Sequence, residues 1–302
     1  MSDHGLLNEK YRPLTLDKFV GNENLKKTIQ QFLNQNDIVN MLLYGGAGVG
    51  KSTLAKLIVH NLDCDSLFIN ASDERGIETI RDKVQGFASV ASFKPLKVVI
   101  LDEADFLTIQ AQASLRNIIE TFSRTTRFIM TCNFVERIID PLQSRCQVLK
   151  IVPPTKKDVA KHLNWILQEE MIMHNVKDLV PLVNQYYPDL RKCINTIQLS
   201  TQNNVLKLDK TILVSSNYMD KILSELSQII PSFTKIRQII ADSNNDDFDE
   251  LFRALYERSS EYLPGKEGTA AILINEHQYK ANFRIDKEIN TMSLIQNLIN
   301  NK

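Results

Sequence analysis

The octapeptide Gly45-Gly46-Ala47-Gly48-Val49-Gly50-Lys51-Ser52 constrains this chain more than any other stretch. Two glycines separated by four residues and followed by Lys and Ser fit a phosphate-binding loop, which joins a strand to the start of a helix. Both flanks agree with that demand. Met41-Leu42-Leu43-Tyr44 is an apolar run suited to a buried strand, and Lys51 to Asn61 carries Leu54, Leu57 and Ile58 at helical spacing. Small residues let backbone N–H groups curl around phosphate oxygens at a helix N-terminus. Lys51 supplies a cation for the terminal phosphates, and the Ser52 hydroxyl can hold Mg²⁺. The expected ligand is a nucleoside triphosphate held along Gly45 to Thr53. A glycine-rich turn without that task is the competing reading, and the strand and helix on either side weigh against it.

Four further strand-like runs follow: Leu67 to Asn70, Val98 to Leu101, Phe128 to Thr131 and Val148 to Ile151. They alternate with helical stretches around Ile77 to Ser92 and Ala111 to Thr121, and an earlier helix from Asn22 to Gln35 has Asn22 as its expected N-cap. Short apolar strands alternating with helices predict an α/β fold, a five-stranded parallel sheet covered on both faces. Ligands of such sheets sit at the carboxyl ends of the strands. Pro153-Pro154 breaks the alternation, Thr155 can cap a new helix, and the chain reads as helical from there, in a first group to about Asn203 and a second from about Tyr218 to Asn300, with turns at Pro231 and Pro264-Gly265. Asp242 to Glu250 reads as an acidic loop and helix start. The expected divisions are a nucleotide-binding domain over 1–152, a small helical domain over 153–213 and an all-α domain over 214–302.

At 302 residues the chain can bury a sizeable interior, and its 36 basic and 36 acidic residues balance. No global basic field points to nucleic acid, so any such surface must be a local patch. Cys64, Cys132, Cys146 and Cys193 show no CxxC spacing, which indicates neither a zinc site nor a disulfide framework and suggests a reducing compartment. No apolar run has membrane-spanning length, so a soluble cytoplasmic protein without a membrane partner is expected.

A second nucleotide signal is Val98-Val99-Ile100-Leu101-Asp102-Glu103-Ala104-Asp105, an apolar strand ending in adjacent carboxylates. One can hold the hydrated Mg²⁺ while the next polarises an attacking water, roles that fall to Asp102 and Glu103. Alone, this would read as a solvated acidic turn. After a phosphate loop in the same domain, the hydrolytic reading prevails.

With these motifs in order, the sequence resembles AAA+ ATPases of the sliding-clamp-loader family, of the replication factor C type, over most of its first 200 residues. Glu9-Lys10-Tyr11-Arg12-Pro13 with Val20-Gly21 resembles the family's N-terminal segment, which implies that Tyr11, Arg12 and Val20 border the adenine. Asn70 to Gly76 is similar to the stretch after the second strand. Thr131-Cys132-Asn133 matches the family's first sensor, so Asn133 would face the γ-phosphate. Ser144-Arg145-Cys146 resembles the motif whose arginine enters a neighbouring subunit's ATP site, and Arg191 resembles the second sensor on the last lid helix. A guanidinium fork from a neighbour neutralises the transferring phosphoryl only once two subunits meet.

The resemblance also implies backbone contacts to primer-template DNA from Arg81, Lys83, Thr108, Arg116 and Asn117, with Gln112 linking them to the ATP site. It further implies that 153–213 is a lid and 214–302 an oligomerising collar, with a ring-shaped clamp as partner and a five-subunit assembly of several copies of this chain with one different subunit. Asn275 to Asn282 and the following helix look like tailed-bacteriophage loader subunits, which would place the protein in a host-cell cytoplasm. His277 there reads as a packed histidine rather than a ligand, since no second His or Cys stands beside it. The phosphate loop departs from the family's usual Gly-Pro-Pro-Gly-Thr-Gly-Lys-Thr, and no zinc module is expected. Two other readings share these motifs: a ring-forming AAA+ helicase or branch-migration motor, and a checkpoint or structural AAA+ subunit that binds ATP without hydrolysing it.

Overall fold

The computed structural model describes residues 5–208, 218–243, 248–281 and 286–302. The expected lid–collar boundary at 213/214, positions 244–247 of the acidic run and Asn282 lie outside the described residues. The chain forms two compact units, Met1–Leu179 with Tyr186–Leu206, and Val180–Gln185 with Lys207–Lys302.

In the first unit, helix α1 (Glu23–Gln35) leads to strand β1 (Met41–Tyr44) and helix α2 (Lys51–His60). Strand β2 (Cys64–Asn70), helix α3 (77–89, π-helical over Ile80–Gln85), β3 (Leu96–Asp102), α4 (Ile109–Thr121), β4 (Thr126–Cys132) and β5 (Gln147–Lys150) follow. Helices α5 (Lys156–Glu169) and α6 (Leu190–Ser200) come next, with a hairpin of β6 (Thr201–Gln202) and β7 (Val205–Leu206). The five long strands make one parallel sheet in the order β2-β3-β4-β1-β5, as the alternating pattern predicts.

Strand pleating sends alternate residues to opposite faces, which explains why near-continuous apolar runs are needed. Met41 and Leu43 of β1, Val98 and Ile100 of β3 and Ile129 of β4 join Ile29 of α1 and Leu54, Leu57 and Ile58 of α2 on one face. Leu42, Val99, Leu101, Phe128 and Met130 meet Ile80 and Val84 of α3 and Ala111, Leu115 and Ile118 of α4 on the other. Chain order runs outward from β1 to β2, returns through β3 and β4, and then passes to β5. The crevice at that switch point opens at the carboxyl ends of the strands, beside the phosphate loop.

Thr155 caps α5 as expected, its hydroxyl accepting the Asp158 N–H at 3.2 Å. Asn22 does not cap α1 with its side chain. It stands in the left-handed region at φ 58°, and its amide brackets Val152 instead, donating to the carbonyl at 2.8 Å and accepting the N–H at 2.9 Å. The first helical group ends at Ser200, close to the expected Asn203, and a β-hairpin follows it. Asn203 and Asn204, at φ 50° and 58°, form the tight left-handed turn that a two-residue hairpin requires, and asparagine tolerates that region better than most residues.

The second unit holds α7 (Tyr218–Leu226), α8 (Phe233–Ser243), α9 (Asp249–Glu257), α10 (Glu267–Ala281) and α11 (Lys287–Asn300). Ile222, Leu226, Ile236, Ile240, Leu251, Phe252, Leu255, Leu294, Ile295 and Leu298 make its core. His277 is buried in this core and tied to α11. Its Nδ1 donates to Asn290 Oδ1 at 3.1 Å, since that oxygen only accepts, which leaves Nε2 to accept from Asn297 Nδ2 at 3.1 Å.

Candidate nucleotide site

The phosphate loop leaves β1 at Tyr44 and enters α2 at Lys51, with Gly48 and Gly50 at φ 71° and 99°. Both conformations suit glycine, and at Gly48 space forbids more as well. A Cβ there would lie 2.0 Å from Asp189 Oδ1, the oxygen that caps α6 by accepting the Lys192 N–H at 3.0 Å. Lys51 is buried and folds back along the loop, donating to the carbonyls of Gly45 at 2.9 Å and Gly46 at 2.6 Å and to Asn133 Oδ1 at 2.7 Å. Burial lowers its ammonium below the ordinary lysine range, while Asp102, Asp105 and Glu103 pull the other way.

Strand register brings the acidic end to the loop. Tyr44 pairs with Cys132, so Gly45 and Asn133 leave the sheet side by side, and Leu101 pairs with Met130, so Asp102 comes beside Thr131. Asp102 Oδ1 accepts from Ser52 Oγ at 2.6 Å and from Thr131 Oγ1 at 2.6 Å. Thr131 also accepts the Glu103 N–H at 3.1 Å, and Glu103 stands in the left-handed region at φ 56°. A hydroxyl and a carboxylate in contact at the loop fit a hard cation such as Mg²⁺, which takes oxygen ligands. Asp105 is buried and its Oδ2 accepts the N–H groups of Asn133 and Phe134, each at 3.3 Å. The buried Cys132 thiol between these groups is pushed up to about 12 by desolvation, so it stays protonated.

A cleft extends from the loop. Gly48, Val49, Gly50, Lys51, Ser52 and Thr53 line one end, and Tyr11, Arg12, Pro13 and Val20 line the other, together with His162, Arg191 and Ile194. Gly45, Gly46, Ala47 and Asn133 lie outside this lining. Gly45, Gly46 and Asn133 are the groups that hold Lys51. Tyr11 packs edge-on against Trp165 with ring centroids 5.3 Å apart, and its hydroxyl donates to Glu170 at 2.6 Å. Burial and the Glu170 carboxylate raise that phenol well above its usual value. His162, which sequence reasoning passed over, stacks at a tilt on Trp165, and burial lowers its pKa so that it is neutral at pH 7.

Arg145 stands elsewhere. It precedes β5, whose first residue Gln147 pairs with Met41 at the start of β1, and its carbonyl accepts from Asn40 at 3.5 Å. The phosphate loop follows the other end of β1, five residues along, or about 16 Å of extended chain. The Arg145 guanidinium donates to Glu120 Oε1 and to the Pro141 carbonyl, each at 2.5 Å. The sheet therefore holds Arg145 away from its own loop, at the opposite end of the strands.

The other candidates lie on two packed helices. Arg81 and Lys83 are exposed on α3, with Lys83 paired to Glu74 at 2.7 Å. Thr108 caps α4 by accepting the Ala111 N–H at 3.2 Å, and Arg116 donates to its neighbour Asn117 at 3.1 Å. Gln112 is buried, donating to the Leu107 and Arg137 carbonyls at 3.2 and 3.0 Å and accepting the Ile139 N–H at 2.9 Å. Its amide is thus spent on the segment that follows Asn133.

Residues 41–154 match the model of the ATPase family associated with various cellular activities (AAA). The chain is 32% identical over 306 residues to the replication factor C small subunit of Sulfurisphaera tokodaii, covering 96% of this chain and 94% of that one. With its counterpart from Staphylothermus marinus it shares 38% identity over 213 residues, 68% of this chain but only 65% of the relative, just under two thirds of that protein's length. The RuvB Holliday junction branch migration motor of Thermotoga maritima superposes with a TM-score of 0.55 at 18% identity, over 83% of this chain and 80% of that one. That last likeness concerns the fold alone.

Proposed function

Because this chain belongs to the replication factor C small-subunit family, we propose that it is an ATP-hydrolysing subunit of a DNA polymerase sliding-clamp loader. The observation that carries the reading is the split construction of the site. Lys51, Ser52, Asp102 and Asn133 converge at the carboxyl ends of the strands while Arg145 sits at the amino ends. A complete hydrolytic site then needs the edge of a second subunit.

In this reading Gly45 to Thr53 cradle the triphosphate, with Tyr11, Arg12 and Val20 at the base and Arg191 reaching in from the lid. The three-domain division at 152 and 213 belongs to the same reading. Ser52 and Asp102 would hold Mg²⁺, which when bound neutralises charge on the β- and γ-phosphates. Glu103 polarises the attacking water, Asn133 holds its amide toward the γ-phosphate, and Arg145 of the neighbour stabilises the charge on the transferring group. Several copies with one different subunit, five in all, would grip a ring-shaped clamp. Arg81, Lys83, Thr108, Arg116 and Asn117 would follow the duplex backbone without reading bases. ATP must favour the clamp-gripping state over the released one, because a ligand that binds both states equally shifts nothing. A phage source, with action in the host cytoplasm, is proposed on the likeness of 275–282.

The test is Glu103→Gln. ATP affinity should stay within about twofold, while turnover falls by about 100-fold or more, the usual worth of a general base. Unchanged turnover overturns the catalytic assignment. Native mass spectrometry with a non-hydrolysable ATP analogue tests the assembly: a homohexamer without a clamp would count against a loader and for a motor.

A further inference from the structure

The acidic motif ends in a carboxylate that the hydrolytic scheme leaves without work. Asp105 is 7% exposed, and its Oδ1 finds no hydrogen-bond partner among the described residues. An unpaired buried carboxylate oxygen is costly, so a chain that keeps one needs a compensating use for the side chain. Its other oxygen shows that use. Oδ2 accepts the two consecutive N–H groups of Asn133 and Phe134, at the point where β4 ends and the chain turns away from the sheet. These N–H groups lie beyond the last β4 residue in the ladder, Cys132, so strand pairing does not fix them.

Asn133 Oδ1 in turn accepts from Lys51 Nζ at 2.7 Å. The chain of contacts is continuous: Asp105 holds the turn, the turn aims the Asn133 amide, and the amide meets the phosphate-loop lysine. Asp105 itself is buried and does not line the cleft. We infer that Asp105 is the positioning residue of Asn133: it clamps the turn after β4 so that the amide stays in register with Lys51, and it governs the rate of ATP turnover rather than ATP affinity. This rests on the proposed hydrolytic function.

The inference makes Asp105 and Asn133 one unit, and groups that act as a unit are not additive. The experiment is a double-mutant cycle on the full chain in its assembly, measuring ATP affinity and turnover for wild type, Asp105→Ala, Asn133→Ala and the pair. Asp105→Ala should lower turnover about tenfold with affinity within about twofold, and the pair should be no slower than Asn133→Ala alone. Asp105→Asn keeps an acceptor oxygen for the two N–H groups and should recover most of the rate. Since Asp105→Ala also removes a buried acceptor, that conservative variant supplies the test if the alanine variant does not fold. Multiplicative losses in the pair, or a turnover defect in Asp105→Asn as deep as in Asn133→Ala, overturn the inference. Absence of ATP turnover in wild type instead overturns the proposed function itself.

Discussion

Buried polar groups serve opposite ends in the two units of this molecule. In the helical unit His277, Asn290 and Asn297 close on one another, and Asn290 Nδ2 returns to the His277 carbonyl at 2.8 Å. Both ring nitrogens are spoken for, and the cluster fixes how α10 and α11 pack. Around the phosphate loop Lys51 and Asp105 are buried too, but the polar groups are less completely matched. Lys51 leans on carbonyls, Asp102 receives two hydroxyls, and an oxygen of Asp105 has no partner among the described residues. A satisfied network specifies a fold, whereas groups that exchange partners when a ligand arrives cannot all be satisfied beforehand.

The sharpest way to break this contrast is to remove one member from each side. Lys51→Ala should abolish turnover, a loss of at least about 1,000-fold or about 4 kcal/mol of transition-state stabilisation, with the melting temperature within a few degrees of wild type. Calorimetry with ATP and a thermal melt on the same sample would show it. Unfolding as the main effect would mean that the loop lysine is structural. Asn290→Leu should do the reverse. It leaves the His277 ring N–H and carbonyl unpaired in a dry core, and should cost about 2–3 kcal/mol in a denaturant titration with ATP affinity unchanged.

The smallest effect concerns a network between the two extremes. Burial pushes the Glu170 carboxyl up, but hydrogen bonds from Lys10 and Tyr11 outweigh it and hold the group below the usual carboxylate range. Its folded pKa is below its unfolded one. The stability it contributes is therefore present above about pH 4.3 and lost as pH falls through the lowered value. Glu170→Gln should flatten that acid limb by about 0.5 kcal/mol or less, because Lys10 is exposed to solvent. Melting curves between about pH 3 and pH 7 would resolve it against the steeper background of the whole chain.

Much of the sheet could be read from apolar runs, because strands covered on both faces leave little else for Val, Ile and Leu to do. Val98 to Leu101 grew to Leu96–Asp102 and Phe128 to Thr131 to Thr126–Cys132, since pairing extends beyond the apolar centre. Short-range signals were less secure. Asn22 has the right type for a cap but is spent on Val152, 130 residues away, and no strand-like run announces the Asn203-Asn204 hairpin at the end of the first helical group. In the site, Ser52 and Asp102 were visible because their motifs are contiguous. Thr131, Asp105 and His162 were not assigned work. Their roles depend on register between strands or on a helix folded against the N-terminal segment, and neither is written locally.

The position of Arg145 gives the molecule a head and a tail. Since β5 runs parallel to β1, phosphate loop and arginine lie at opposite ends of the same pair of strands. In the proposed function, where Arg145 serves a neighbour, copies would join only head to tail, and completed junctions become a matter of counting. A closed ring has as many junctions as members. An open arc has one fewer, with a bare loop at one end and an idle arginine at the other. A dissimilar member at either end can then fill or silence that terminal junction without altering any copy of this chain.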